Sequence, residues 1–135
     1  MITHWEEFKL GPTVPADERL HVTLDRKGMI LLNGNIHDRL GSPEAVVLLF
    51  DKVNSVIGIN PVSPNVQNAF KLKSSSRGRH RMILAIPFCR HYGIAVDHTT
   101  VFTDPQIGED GVLCLDLKAT TRARRRKMKS SDRTE

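Results

Sequence analysis

No apolar run in this chain is longer than six residues, the stretch 45–50, and turn residues close each one. That limit decides what can form. Four to six apolar or alternating residues make a strand, whereas a core helix needs several turns of i, i+3, i+4 spacing. His21-Val22-Thr23-Leu24 alternates, Asp25-Arg26-Lys27-Gly28 reads as a turn, and Met29-Ile30-Leu31-Leu32 as a second strand. Asn33-Gly34-Asn35 offers a helix start, because an asparagine oxygen caps free helical N–H groups. Ile36 and Leu40 share one face of a helix of two turns or less, and Gly41 stops it, reinforced by Ser42-Pro43. Residues 46–50 and 56–59 are predicted to form a hairpin around the turn 51–55, which Pro61 and Pro64 close.

The second half repeats this order. Residues 70–73 read as a strand, 74–78 as a loop, 80–86 as a strand and 88–92 as one helical turn stopped by Gly93. Residues 99–103 and 112–117 are predicted as a hairpin across the loop 104–111. A shift of 52 lays Ile30, Leu32, Ile36, Leu40 and Gly41 on Met82, Leu84, Phe88, Tyr92 and Gly93. One further residue of slip lays Leu48 and Asp51 on Val101 and Asp104. The expected chain is mainly β with short helices, in two β-β-α-β-β units, 20–64 and 65–118. Gly11, Pro12 and Pro15 make 1–19 a leader that packs Trp5 and Phe8 against the body. Residues 119–135 are expected to form a basic, disordered tail.

Charge is segregated along the chain. Residues 1–51 carry −3, residues 52–96 carry +7 without a single acid, residues 97–117 carry −5, and residues 118–135 carry +6. The net +5 therefore sits in the tail, while the middle of the body holds a local basic block. Aromatic residues make up only 5%, which argues against a base-stacking platform for single strands. The start of the chain lacks a basic region followed by an apolar one, no run reaches membrane-spanning length, and Cys89 and Cys114 lack CxxC spacing. The expectation is a cytoplasmic protein, not associated with membrane, with two reduced, buried thiols.

Residues 22–61 resemble the AbrB/MazE/SpoVT swapped-hairpin family of bacterial transcription regulators and antitoxins. The likeness rests on Val22-Thr23-Leu24-Asp25-Arg26-Lys27-Gly28-Met29-Ile30-Leu31-Leu32, on Ile36-His37-Asp38-Arg39-Leu40-Gly41, and on Ile57-Gly58-Ile59-Asn60-Pro61. The family usually has proline where Asn33 stands and arginine where Met29 stands, and the overlay puts Arg81 at the latter position. MazE-like antitoxins carry an acidic toxin-binding tail, and this tail is basic, which speaks against that role. The resemblance implies a small barrel of interleaved hairpins. Two AbrB-like units in one chain would close it as a pseudo-symmetric monomer, and otherwise two chains would pair as a homodimer.

From this follows the functional expectation: a non-enzymatic regulator that binds duplex DNA. Arg26, Lys27, Arg39, Arg77, Arg79, His80 and Arg81 are expected on one side of the barrel, to contact phosphates and guanine edges. Arg124, Arg125 and Arg126 in the tail add contacts that do not read sequence. No cofactor or metal is expected, since Cys89, His91 and His98 lack a paired ligand pattern. Two alternatives remain. One is a protein-interaction or small-ligand barrel without DNA binding. The other is a Mg-dependent nuclease in which Asp104 and Asp116 hold the ion and Lys118 orients water, against the plainer reading of an edge strand with alternating faces.

Overall fold

The computed structural model describes residues 3–6, 20–75 and 79–123. Strands β1 (Val22–Leu24) and β2 (Met29–Leu32) pair antiparallel from Val22↔Leu32 to Leu24↔Ile30. Their turn is built by two residues. Asp25 accepts from the amides of Lys27 and Met29 at 2.9 Å each, and Gly28 supplies the φ of +96° that a side chain would resist. Helix α1 (Gly34–Arg39) follows, with the Asn33 carboxamide oxygen capping the Ile36 amide at 3.1 Å. Strands β3 (Ala45–Asp51) and β4 (Val56–Val62) then form a hairpin with seven paired positions.

The expected strand 70–73 is split in two. Strand β5 (Phe70–Lys71) pairs with β3, Leu72 turns the corner, and β6 (Lys73–Ser74) pairs with β7 (Arg81–Leu84). Helix α2 (Ile86–Tyr92) starts two residues earlier than the periodicity predicts, because Pro87 suits the first turn, where no N–H partner is needed. Strands β8 (Thr100–Phe102), β9 (Gln106–Ile107), β10 (Leu113–Asp116) and β11 (Thr120–Arg122) complete the chain. The hairpin predicted between 99–103 and 112–117 does not form. Strand β8 pairs with β1 and β11, whereas β10 pairs with β4 and β9, so the two lie in different sheets. The long intervening loop, with Pro105, Gly108 and Gly111, sets no tight register, and β9 takes the edge of β10 that β8 would have used.

The protein is thus mainly β, with two short helices and two antiparallel sheets ordered β11-β8-β1-β2-β7-β6 and β5-β3-β4-β10-β9. They do not close into the expected barrel. Their edges end on strands of two or three residues, too short to carry a hydrogen-bonded ladder across the gap. The core lies between them: Val22, Leu24, Ile30, Leu32 and Ile83 face Val46, Ile57, Ile59, Leu113 and Leu115. Ile36 and Phe88, one from each helix, extend it. Each such side chain contributes about 1.5–3 kcal/mol when fully buried.

Two further expectations shift. The ordered chain runs past residue 118, where the tail was expected to begin, because Thr120–Arg122 add a strand to β8. Trp5 does not pack on the body but stands 89% exposed, while Phe8 lies outside the described residues.

The halves share local geometry. In α1, Gly41 N–H donates to Asp38 O, Ser42 N–H to His37 O, and His37 N–H to Asn33 O. In α2, Gly93, Ile94 and Cys89 donate to Arg90, Cys89 and Ala85, the same bonds displaced by 52. Both helices end on a left-handed glycine, at φ +92° and +67°. The Val46↔Phe70 pairing, displaced by 53, becomes Thr99 with Ala123, and Ala123 N–H bonds Thr99 O at 2.9 Å.

Candidate nucleic-acid interface

Strands β2 and β7 pair antiparallel inside the first sheet, Met29 opposite Leu84 and Leu32 opposite Arg81. This register sets the positions of the basic residues. The turn 25–28 enters β2 beside the end of β7, where α2 begins. The turn before Arg81 enters β7 beside the end of β2, where α1 begins. The turns therefore sit at opposite ends of a strand pair about 10 Å long, each against the helix of the other half. The expected single basic side becomes two clusters.

At the first end, Arg26, Lys27 and Arg90 line one open cleft of about 570 Å³ over an apolar floor that includes Leu24 and Ile86. All three cations are exposed. Arg90 was not among the sequence candidates. The signal was available, since it belongs to the acid-free block and the 52-residue overlay sets it on Asp38. Close packing holds this wall together: a methyl on Gly28 would lie 3.1 Å from the Ile86 Cα. Cys89 lies buried beneath, as expected, whereas Cys114, at the solvent side of β10, is exposed; burial together with the Asp25 charge pushes the Cys89 thiol above the usual range.

At the other end, Arg79, Arg81, Asp38 and Glu44 share a second cleft with the buried His37. Here the cations are already engaged. Arg79 Nη2 meets Asp38 Oδ2 at 2.7 Å, and Arg81 Nη1 donates to the carbonyls of Arg79 and His80 at 2.9 and 3.2 Å. His37 Nε2 donates to Pro43 O at 2.9 Å, which satisfies the one buried imidazole of the core. Arg39 is exposed on α1 outside both clefts. Arg77, Arg124, Arg125 and Arg126 lie outside the described residues.

Between the two ends, the outer face of the first sheet presents Met29, Leu31 and Met82 with His21 and His80 at its margin. Crowding, and after it the His80 charge, pushes the His21 imidazole below the ordinary histidine range.

The residues of the nuclease and metal readings have local partners. Asp116 pairs with Lys118 at 2.9 Å, Lys118 Nζ also donates to Asn54 O, and Asp104 accepts from Gln106 at 2.9 Å. The lysine bond holds the Asp116 carboxyl below the usual carboxylate range, and Asn54 does the same for Asp51. These contacts tie turns to strand ends. Cys89 is in the core, His91 packs edge-on to Tyr92, and His98 rests on Asp97, so among the described residues these three form no ligand set. Among those residues, too, no helix is long and apolar enough to cross a membrane. No family model, curated protein or solved structure matches the chain.

Proposed function

We propose that the chain is a tandem pair of AbrB-like units that binds duplex DNA as a non-enzymatic transcription regulator. One observation carries this reading: the turn 25–28 and α2 bring Arg26, Lys27 and Arg90 to one exposed cleft at the end of the β2–β7 pair, with none of the three in an ion pair among the described residues. A duplex offers phosphates along its grooves, and cations held together by a turn and a helix can contact several of them at once. The common hydrogen-bond pattern at the ends of α1 and α2 supports the tandem arrangement. In this reading Arg26, Lys27 and Arg39 contact phosphates and base edges from the described body. Arg77 and the tail arginines add charge from outside it.

Fluorescence anisotropy of a labelled duplex with the full chain at low salt tests the reading. Binding should weaken steeply as salt rises, and Arg26→Ala/Lys27→Ala should lower affinity and reduce the salt slope by about 2. A duplex that does not bind the wild-type chain at low salt refutes it. Mass measurement in solution separates the monomer from a paired form.

A further inference from the structure

The two clefts are counterparts, and in one of them the cations have no ion-pair partner among the described residues. A displacement of 52 carries Lys27 to Arg79, Cys89 to His37, Arg90 to Asp38 and Val96 to Glu44. In the second cleft the cation on the turn has a carboxylate on the facing helix, the Arg79–Asp38 pair at 2.7 Å. In the first cleft the same two places hold Lys27 and Arg90, like charges on facing walls. Arg26 stands beside them. Asp25 also lines this cleft, with its Oδ1 accepting from the Lys27 and Met29 amides that shape the turn, but one carboxylate against Arg26, Lys27 and Arg90 leaves the cleft with positive charge in excess. Among the described residues, Arg26, Lys27 and Arg90 make no ion pair with the protein.

We propose that the cleft between the turn 25–28 and the end of α2 is a phosphate-binding site, and that its counterpart at α1 is not. The phosphate occupies the place that Asp38 fills in the second cleft, bridging Lys27 and Arg90 with Arg26 closing over it. Planar guanidinium groups match phosphate oxygens two at a time, and the lysine adds a point charge. The cleft exceeds a phosphate in size, at about 570 Å³. Its apolar lining of Ile86, Ile94 and Val96 therefore takes an apolar or planar part of the ligand beyond the phosphate. The phosphate can come from a nucleic-acid backbone, which would deepen the duplex reading, or from a free phosphorylated molecule, which does not depend on it.

Amide chemical shifts of the ¹⁵N-labelled full chain, titrated with inorganic phosphate against chloride of matched ionic strength, test the site. Lys27, Gly28, Arg90 and Gly93 should move and saturate, while Asp38 and Arg79 stay still. Arg90→Asp, which copies the second cleft, should weaken phosphate binding at least about tenfold, as expected for losing a charge-assisted contact. Arg90→Gln, which removes the charge without reversing it, should weaken it less. Asp38→Asn should release Arg79 and make the second cleft respond. No saturating shifts in the wild-type chain, equal movement in both clefts, or wild-type titration of Arg90→Asp would each overturn the proposal. A labelled duplex and a 5′-mononucleotide separate the two sources. Loss of duplex binding in Arg90→Asp together with phosphate binding assigns the site to the backbone. A duplex that ignores the wild-type chain while the mononucleotide binds leaves the phosphate site standing and removes the duplex reading.

Discussion

Gly34 opens α1 directly beneath the side chain that ties the second turn to this helix. A methyl group built on it would lie 2.5 Å from Arg79 Nε, 2.7 Å from its Cβ and 2.8 Å from its Nη2, all inside van der Waals contact. Two effects compete in Gly34→Ala. Alanine is favoured over glycine in a helix by up to about 1 kcal/mol, less at the first position. Forcing a methyl into filled space costs about 1–3 kcal/mol. Because the Arg79 Cβ cannot swing away as a guanidinium can, the steric cost should win. We expect a net destabilisation of about 1–2 kcal/mol. Arg79→Gly alone removes an ion pair whose side chains are 64% and 59% exposed, which is worth no more than about 1 kcal/mol. In the double variant all three obstructing atoms are gone, so the added methyl should become neutral or stabilising. Urea unfolding of the four proteins closes a double-mutant cycle, and the coupling should be at least about 1 kcal/mol in the direction of relief. If Gly34→Ala is as stable as the wild type, or equally destabilising with and without Arg79, the packing of this turn against α1 is not as described.

Three other perturbations probe separate parts of the fold. Ile83, fully buried where β7 meets β2, should cost about 2–5 kcal/mol when changed to alanine, read as a lower urea midpoint. His21 has a folded pKa below its unfolded one, so the unfolded chain binds more protons between those two values. Stability should therefore fall as pH drops through that window, and His21→Gln should flatten the dependence of Tm on pH there. A thiol-reactive dye should label the exposed Cys114 rapidly in the native protein, whereas Cys89 should react only on unfolding; two fast thiols in the folded protein would contradict its burial.

Much of the first half was legible because its signals are local. Asp25 and Gly28 define a turn by their own chemistry, Asn33 caps the helix three residues ahead, and Asp51 bonds the amides of Val53 and Asn54 in the next turn. The predicted elements match the structure there to within a few residues. The second half was harder to read. Its loops are long, so nothing within the sequence window states that β8 joins β1 while β10 joins β4. Strand β8 lies on the edge of β1 away from β2, and β10 on the edge of β4 away from β3, partners that only the assembled sheets name. The corner at Leu72 is likewise invisible in a run of four residues that reads as one strand.

Sequence by itself determined the class of elements, because apolar runs of at most six residues between turn formers permit short strands and two-turn helices and little else. It also determined the charge blocks and the candidate basic positions. What only the tertiary structure decided is who faces whom. The antiparallel register of β2 with β7 sends the two basic turns to opposite ends of the sheet and places each against the other half's helix. That is why Asp38 neutralises Arg79 while Lys27 and Arg90 line one cleft. Partnership across 41 residues of sequence in one case and 63 in the other is set by strand pairing, and spacing along the chain does not encode it.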